Sequence, residues 1–258
     1  MISYDKAEAK KTDRAYQTPD VTRQRMRTLE ALQLKARESV LDVGCGSGLL
    51  ADDMAGLVGP DGRVVGIDAS PDMLALAEGR CGDLPQVRLK QSKAEEIPEG
   101  DDSFDAAACV QVLLYVPGVP AALAEMHRVL KPGGRIAIVE TDWRGTVLNS
   151  FDDSITRRML TAWDDAVASP NLPVRLGPLM TAAGFSAVNV EAFPIVNASY
   201  TPGAWSMEML EAFADYARNQ GTVNAADSEA WLDDLRHKES EGSYFFSVNR
   251  FIFTAVKC

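Results

Sequence analysis

Two hydrophobic periodicities alternate along the chain. Short apolar runs bounded by glycine, proline or an acid alternate with stretches whose apolar residues recur at three- and four-residue steps, the patterns of buried strands and amphipathic helices. The runs ending at Val43, Asp68 (from Arg63), Gln91 (from Gln86), Val110 (from Phe104) and Glu140 (from Arg135) read as strands. The fourth is apolar almost throughout, as expected in the middle of a parallel sheet. Thr18-Pro19-Asp20 predicts a helix start, with Thr as cap and Pro in the first turn, before Val21, Arg25, Met26, Leu29 and Leu32. Leu49, Leu50, Met54, Leu57 and Val58 mark a second helix, ended by Gly59-Pro60-Asp61-Gly62. Ser70-Pro71-Asp72 opens another, and Pro120 to Leu130 a further one, closed by Lys131-Pro132-Gly133-Gly134. Met1 to Tyr16 is polar and is expected to be a loose arm. Strand and helix in this alternation predict a doubly wound sheet.

Beyond Thr141 the pattern changes. Thr141-Asp142-Trp143-Arg144 is expected to leave the fifth strand at its ligand end. Helices are expected around Ile155 to Val167 and Gly177 to Ala183, with Gly184 as terminator. Phe185 to Ile195 alternates as a strand, Tyr200 to Gln220 and Ala226 to Lys238 read as helices, and Tyr244 to Phe253 is strongly strand-like. The tail is thus a terminal hairpin interrupted by a helical insertion.

The chemistry concentrates where the first strand ends, at Val40-Leu41-Asp42-Val43-Gly44-Cys45-Gly46-Ser47-Gly48. Glycines at alternate positions permit a tight turn and leave no side chain to block a ligand. A helix starting near Ser47 aims free N–H groups into that space. A dinucleotide site would read G-x-G-x-x-G, and here the third glycine comes one position early. Asp42 adds a carboxylate for a ligand with an amino group. An amino-acid-bearing nucleoside such as S-adenosylmethionine suits that mixture better than a pyrophosphate, and a ligand-free glycine turn is the bland alternative. Asp68 closes the second strand where a carboxylate accepts from a ribose diol, or else caps the helix that Ser70 opens.

Composition narrows the field. The chain has 258 residues, 46% of them hydrophobic, and a net charge of -11; its length suits one large domain, or one core with an added lid, and its apolar share a sizeable core. No basic stripe is present, which argues against a nucleic-acid partner. The start lacks the profile of a signal peptide, and the apolar run from Ala106 to Val116 is too short to span a bilayer. Cys45, Cys81, Cys109 and Cys258 show no metal-ligand spacing, so no metal is expected and a cytoplasmic setting with reduced thiols is.

Together the Asp42–Gly48 turn, Asp68, Ile97-Pro98 with Ser103-Phe104-Asp105, Gln111-Val112-Leu113, and Arg128 to Gly134 resemble the class I S-adenosylmethionine-dependent methyltransferases, close to the ubiquinone/menaquinone-biosynthesis type (methyltransferase type 11-like). The resemblance runs from about Tyr16 to Gly184 and returns in the last strand. It implies a seven-stranded, mostly parallel Rossmann-like sheet with an antiparallel last strand. It also implies roles. Asp42, Gly44, Cys45 and Gly46 resemble the turn that holds the methionine part, and Gln111 lies beside it. Asp68 matches the ribose acid, while Ala69 and Met73 border the adenine. Lys93, Ala94 and Glu95 match the loop at the adenine edge, and Tyr16 and Arg25 match positions that close over the cofactor. Relatives usually carry Asp where this chain has Lys93, and lysine cannot accept from the adenine amino group.

The reading divides the chain into a cofactor-covering arm and helix (1–36), a binding core (37–142), and acceptor-pocket helices with the terminal hairpin (143–258). The implied reaction moves a methyl group to a small thiol, phenol, amine or activated carbon, leaving S-adenosylhomocysteine; a homodimer is left open. Alignment of the two reactants is the main lever, worth about 7–11 kcal/mol. Tyr16, Tyr115 and Trp143 are candidates for an aromatic wall near the cationic sulfur, with core packing as the alternative. Asp142 is the candidate base or acceptor-binding acid, with turn capping as its competitor. His127 and His237 read as structural and solvated. Trp205, Met209, Phe213, Tyr216 and Ala217 share a helical face that either lids the acceptor pocket or covers the sheet. Two other readings stand beside this one: a binding protein without turnover, and a nucleotide-linked oxidoreductase.

Overall fold

Strand β1 (Ser39–Val43) is central because its side chains are apolar on both faces: Val40, Leu41 and Val43 are fully buried. The computed structural model describes residues 6–258, so the start of the expected arm, with Met1 to Asp5, lies outside the described residues. Beside β1 lie β2 (Arg63–Asp68) and β3 (Val87–Gln91) on one side. On the other lie β4 (Phe104–Val110) and β5 (Leu130–Leu148). These five are parallel. The sheet order is β3-β2-β1-β4-β5-β7-β6, with β6 (Phe185–Asn197) and β7 (Phe246–Lys257) at the far edge. β7 runs antiparallel to both β5 and β6. The doubly wound, seven-stranded fold and its antiparallel last strand are therefore as expected. The order reverses between β1 and β4, and the crevice beyond their carboxyl ends is where such sheets hold ligands.

Helices cover both faces. On one, Leu29 and Leu32 of α2 (Pro19–Leu32) and Leu50, Met54 and Val58 of α3 (Leu49–Val58) pack with Cys81, which ends α4 (Pro71–Cys81). On the other, Leu123 and Met126 of α5 (Val119–Val129) pack with Leu176 and Met180 of α7 (Pro173–Ala182). An aromatic cluster joins α6 (Asp153–Asp164), α8 (Trp205–Asn219) and α9 (Ala225–Ser240) to β5, β6 and β7. The helical insertion between the last two strands is α8 and α9. Among the described residues no helix is long and apolar enough to cross a membrane.

Two expectations change. The arm before Tyr16 is not loose: Lys6–Tyr16 form a helix, α1. It buries Ala9 and Ala15, and Asp13 pairs with Arg80 of α4 at 3.0 Å. The fifth strand does not end at Glu140. It continues to Leu148, because β7 offers an antiparallel partner from Arg135↔Val256 through Asp142↔Asn249 and again at Leu148↔Phe246.

Candidate functional site

The turn after β1 is held from two sides. The N–H groups of Gly44 and Cys45 donate to the Ile67 carbonyl at 2.7 and 2.9 Å. Asp68 completes the staple: Oδ2 accepts from Gly46 N–H at 2.8 Å, and Oδ1 accepts from Ser70 N–H at 2.8 Å. Gly44 has φ +70°, and a Cβ there would lie 2.2 Å from Val112 Cγ2. Only glycine fits, since Val112 closes in from the end of β4.

That neighbouring end is shaped by Glu140. Its side chain is fully buried, and Oε1 accepts from Val112 and Leu113 N–H at 3.2 and 2.7 Å, fixing the single 3-10 turn Leu113–Tyr115. Gln111, just before it, sits at φ +57°, an uncommon conformation for a side-chain-bearing residue and one that gathers at binding sites. Its carboxamide is tied on both sides: Nε2 donates to Val139 O at 3.1 Å and Oε1 accepts from Thr141 Oγ1 at 2.5 Å.

Between these pieces lies a cavity of about 610 Å³, within the usual range for small-molecule sites. Asp42, Gly44, Cys45, Gly46 and Gln111 line it. Asp68, Ala69, Met73, Lys93, Ala94 and Glu95 line it as well, as do Tyr16 and Arg25. Every residue expected to bind the cofactor thus borders one space. Arg25 is pinned there, with Nε on Asp53 at 2.6 Å and Nη1 on the Tyr16 carbonyl at 3.2 Å.

The electrostatics are uneven. Asp42 is 1% exposed, and its Oδ2 has no hydrogen-bond partner. Burial, and then the charge on Asp68, push its carboxyl up to about 7. Burial also raises Asp68, while N–H groups of Ser70, Gly46 and Ala69 pull the other way. Glu140 rises to about 8, again through burial. Burial pushes the Cys45 thiol and the Tyr16 phenol up, the latter opposed by Arg250.

Two residues expected in the chemistry are not brought to the cavity. Asp142 and Trp143 lie beyond it, because β5 runs on past Glu140 instead of turning there. Trp143 stacks on Trp205 at 5.8 Å and meets Trp163 and Phe213 edge-on, inside the aromatic cluster. The α8 face beginning at Trp205 packs into the same cluster and is not among the residues that line the cavity. His127 packs edge-on against Phe185, and His237 faces Glu241 on the surface. The sequence reading missed Gln24, which lines the cavity, and Glu140, Thr141 and Arg250, which stand behind its wall. The available signal was polarity in apolar company: Arg250 among Phe246, Val248, Phe251 and Ile252, and Gln24 with Thr28 on the buried side of α2.

Residues 40–134 match a family model described as a methyltransferase domain. An uncharacterised 37.1 kDa protein in a transposon of Streptomyces fradiae is 33% identical over 88% of this chain and 65% of its own length. The demethylmenaquinone methyltransferase of Oceanobacillus iheyensis is 37% identical over 44% of this chain and 49% of its own. The chain thus spans about half to two thirds of the length of these relatives. A putative methyltransferase of Bacillus halodurans, 21% identical, superposes with a TM-score of 0.64 over 90% of this chain and 98% of that one, a likeness of fold. Family model, relatives and strand order agree that residues 40–134 carry a methyltransferase domain, set in a sheet of the class I S-adenosylmethionine-dependent methyltransferase type.

Proposed function

We propose that the cavity binds S-adenosylmethionine and that the chain passes its methyl group to a small organic acceptor. The observation that carries this reading is the unpartnered Oδ2 of Asp42. A carboxylate buried without a cation is costly, and an ammonium group relieves it. A methionine ammonium on Asp42 leaves the ribose diol for the remaining lone pairs of Asp68. Met73 and Ala94 supply apolar surface for adenine, with Glu95 in place of the missing Asp as acceptor for its amino group.

When bound, the cofactor supplies a methyl group on a cationic sulfur, which passes in line to an acceptor lone pair and leaves a neutral thioether. The protein's part is alignment. Gln111, held by Val139 and Thr141, sets the floor beside the methionine part, and Arg25 holds the end of α1 over it. On the acceptor side stand Tyr16 and Tyr115. The Tyr16 phenol keeps its proton at neutral pH, so the acceptor itself loses the proton, as a thiol, phenol, amine or activated carbon can. Free buried thiols at Cys45, Cys81 and Cys109 support a reducing, cytoplasmic setting.

Titration calorimetry with S-adenosylhomocysteine tests the cofactor assignment. A panel of thiols, phenols, amines and quinol precursors, read by S-adenosylhomocysteine release, tests the transfer. Lys93 favours a second reading, a protein that holds the cofactor without turnover. Binding with no product from any acceptor would support it.

A further inference from the structure

The wall that Tyr16 and Gln24 give the cavity is backed by a cation. Arg250 of β7 is 1% exposed and forms no ion pair among the described residues. Its Nη1 donates to Gln24 Oε1 at 2.6 Å, its Nε has no partner, and its guanidinium stands 4.7 Å over the Trp205 ring and 6.0 Å from the Tyr16 ring. Tyr16 and Gln24 both line the cavity. The charge therefore sits one side chain behind the wall.

Its acidic neighbours are committed elsewhere. Asp20 accepts from Arg23 at 2.6 Å and from Asn197 at 2.8 Å. Glu140 accepts from backbone N–H groups, and burial keeps its carboxyl largely protonated near neutral pH. Arg25, the other guanidinium at the cavity, is matched by Asp53. The cavity thus has the carboxyls of Asp42 and Asp68 in its lining and, behind Tyr16, a guanidinium that no carboxylate among the described residues touches. Charge buried in a low-dielectric setting acts across a side chain's thickness far more strongly than in water.

We propose that the methyl acceptor is anionic, carrying a carboxylate, phenolate or enolate oxygen that faces the Tyr16–Gln24 wall, with Arg250 as its counter-charge. This rests on the cofactor reading above and adds the acceptor's charge class. Tyr16 donates its phenol hydrogen toward that oxygen, and Arg250 acts through Tyr16 and Gln24, which makes it a positioning residue. An acceptor that arrives ionised also needs no base from the protein.

The test uses two probes of one shape, 2-naphthoate and 2-naphthamide, titrated calorimetrically into protein with and without saturating S-adenosylhomocysteine. Wild type is expected to hold the carboxylate at least about tenfold tighter than the amide, the scale of one charge felt through a protein wall. Arg250→Met should erase that preference and leave affinity for the amide within about twofold, while Arg250→Lys restores most of it. Equal affinities in wild type, no naphthoate binding, or a preference that survives Arg250→Met would overturn the proposal. The wild-type comparison needs no variant, so if Arg250→Met misfolds, wild type and Arg250→Lys still decide the question. Failure of S-adenosylhomocysteine to bind would sink the cofactor reading instead, and the probe comparison in its absence would still judge the charge class.

Discussion

Asp42 carries more of the account than any other residue. Its carboxyl titrates near 7 in the folded chain, above its unfolded range. A raised carboxyl favours folding at low pH, and that contribution is lost as pH rises through about 7. Ligand-free protein should therefore lose stability between mildly acidic and neutral pH, and Asp42→Asn should flatten that loss in thermal melts. The ligand asks for the opposite state. An ammonium group needs the carboxylate, so S-adenosylhomocysteine affinity should climb with pH up to about 7 and then level off. Asp42→Asn should lower affinity about ten- to a hundredfold and remove the climb, the size of a charge-assisted hydrogen bond. An unaltered pH profile in the variant would assign the climb to another group. This acid was legible because a carboxylate two positions before a glycine turn has few other uses. Arg250 was not legible as a site residue, because sequence shows a cation in an apolar strand but not which wall it backs.

Among elements, the turn after β1 and the 3-10 turn after β4 depend on each other. Gly44 leaves room for Val112, and Glu140 holds Val112 and Leu113 from behind. Gly44→Ala must fit a methyl 2.2 Å from Val112 Cγ2 at a positive φ. It should cost about 1–3 kcal/mol in denaturant melts and weaken S-adenosylhomocysteine at least about tenfold. Glu140→Ala strips two buried N–H groups of their acceptor and should cost about 2–4 kcal/mol. Glu140→Gln keeps an acceptor oxygen and should cost less, and it should lose the decline in stability expected as pH rises toward about 8. The strands and helices up to Glu140 were readable because their signals are local: periodicity, caps and glycine stops. The extension of β5 was not. It depends on pairing with residues about a hundred positions later, and such long-range pairing leaves no local mark. The position of Asp142 and Trp143 outside the cavity lining follows from that one extension. Helix α1 hid for a different reason, since its buried face is only alanine.

At the scale of the whole molecule, the binding crevice and the aromatic cluster meet at Tyr16, Val21 and Tyr115, which line the one and pack in or against the other. All the tryptophans, Trp143, Trp163, Trp205 and Trp231, lie in the cluster. Asp142→Asn and Trp143→Phe should therefore leave S-adenosylhomocysteine affinity within about twofold, although Trp143→Phe should lower stability by about 1–2 kcal/mol through lost packing. A large affinity change in either variant would mean that the two regions are coupled. The topology was legible as a whole because the alternation of strand and helix, with one reversal at β1, leaves few arrangements. The acceptor was not, because the cavity lining beyond the binding turn comes from α1, α2 and the 3-10 turn, which are remote in sequence. The most direct test of the central claim is one calorimetric titration of S-adenosylhomocysteine into wild type, Asp42→Asn and Asp68→Ala. The account predicts one site per chain in wild type and at least about tenfold weaker binding in each variant; no heat with wild type, or equal affinity in all three, would contradict it.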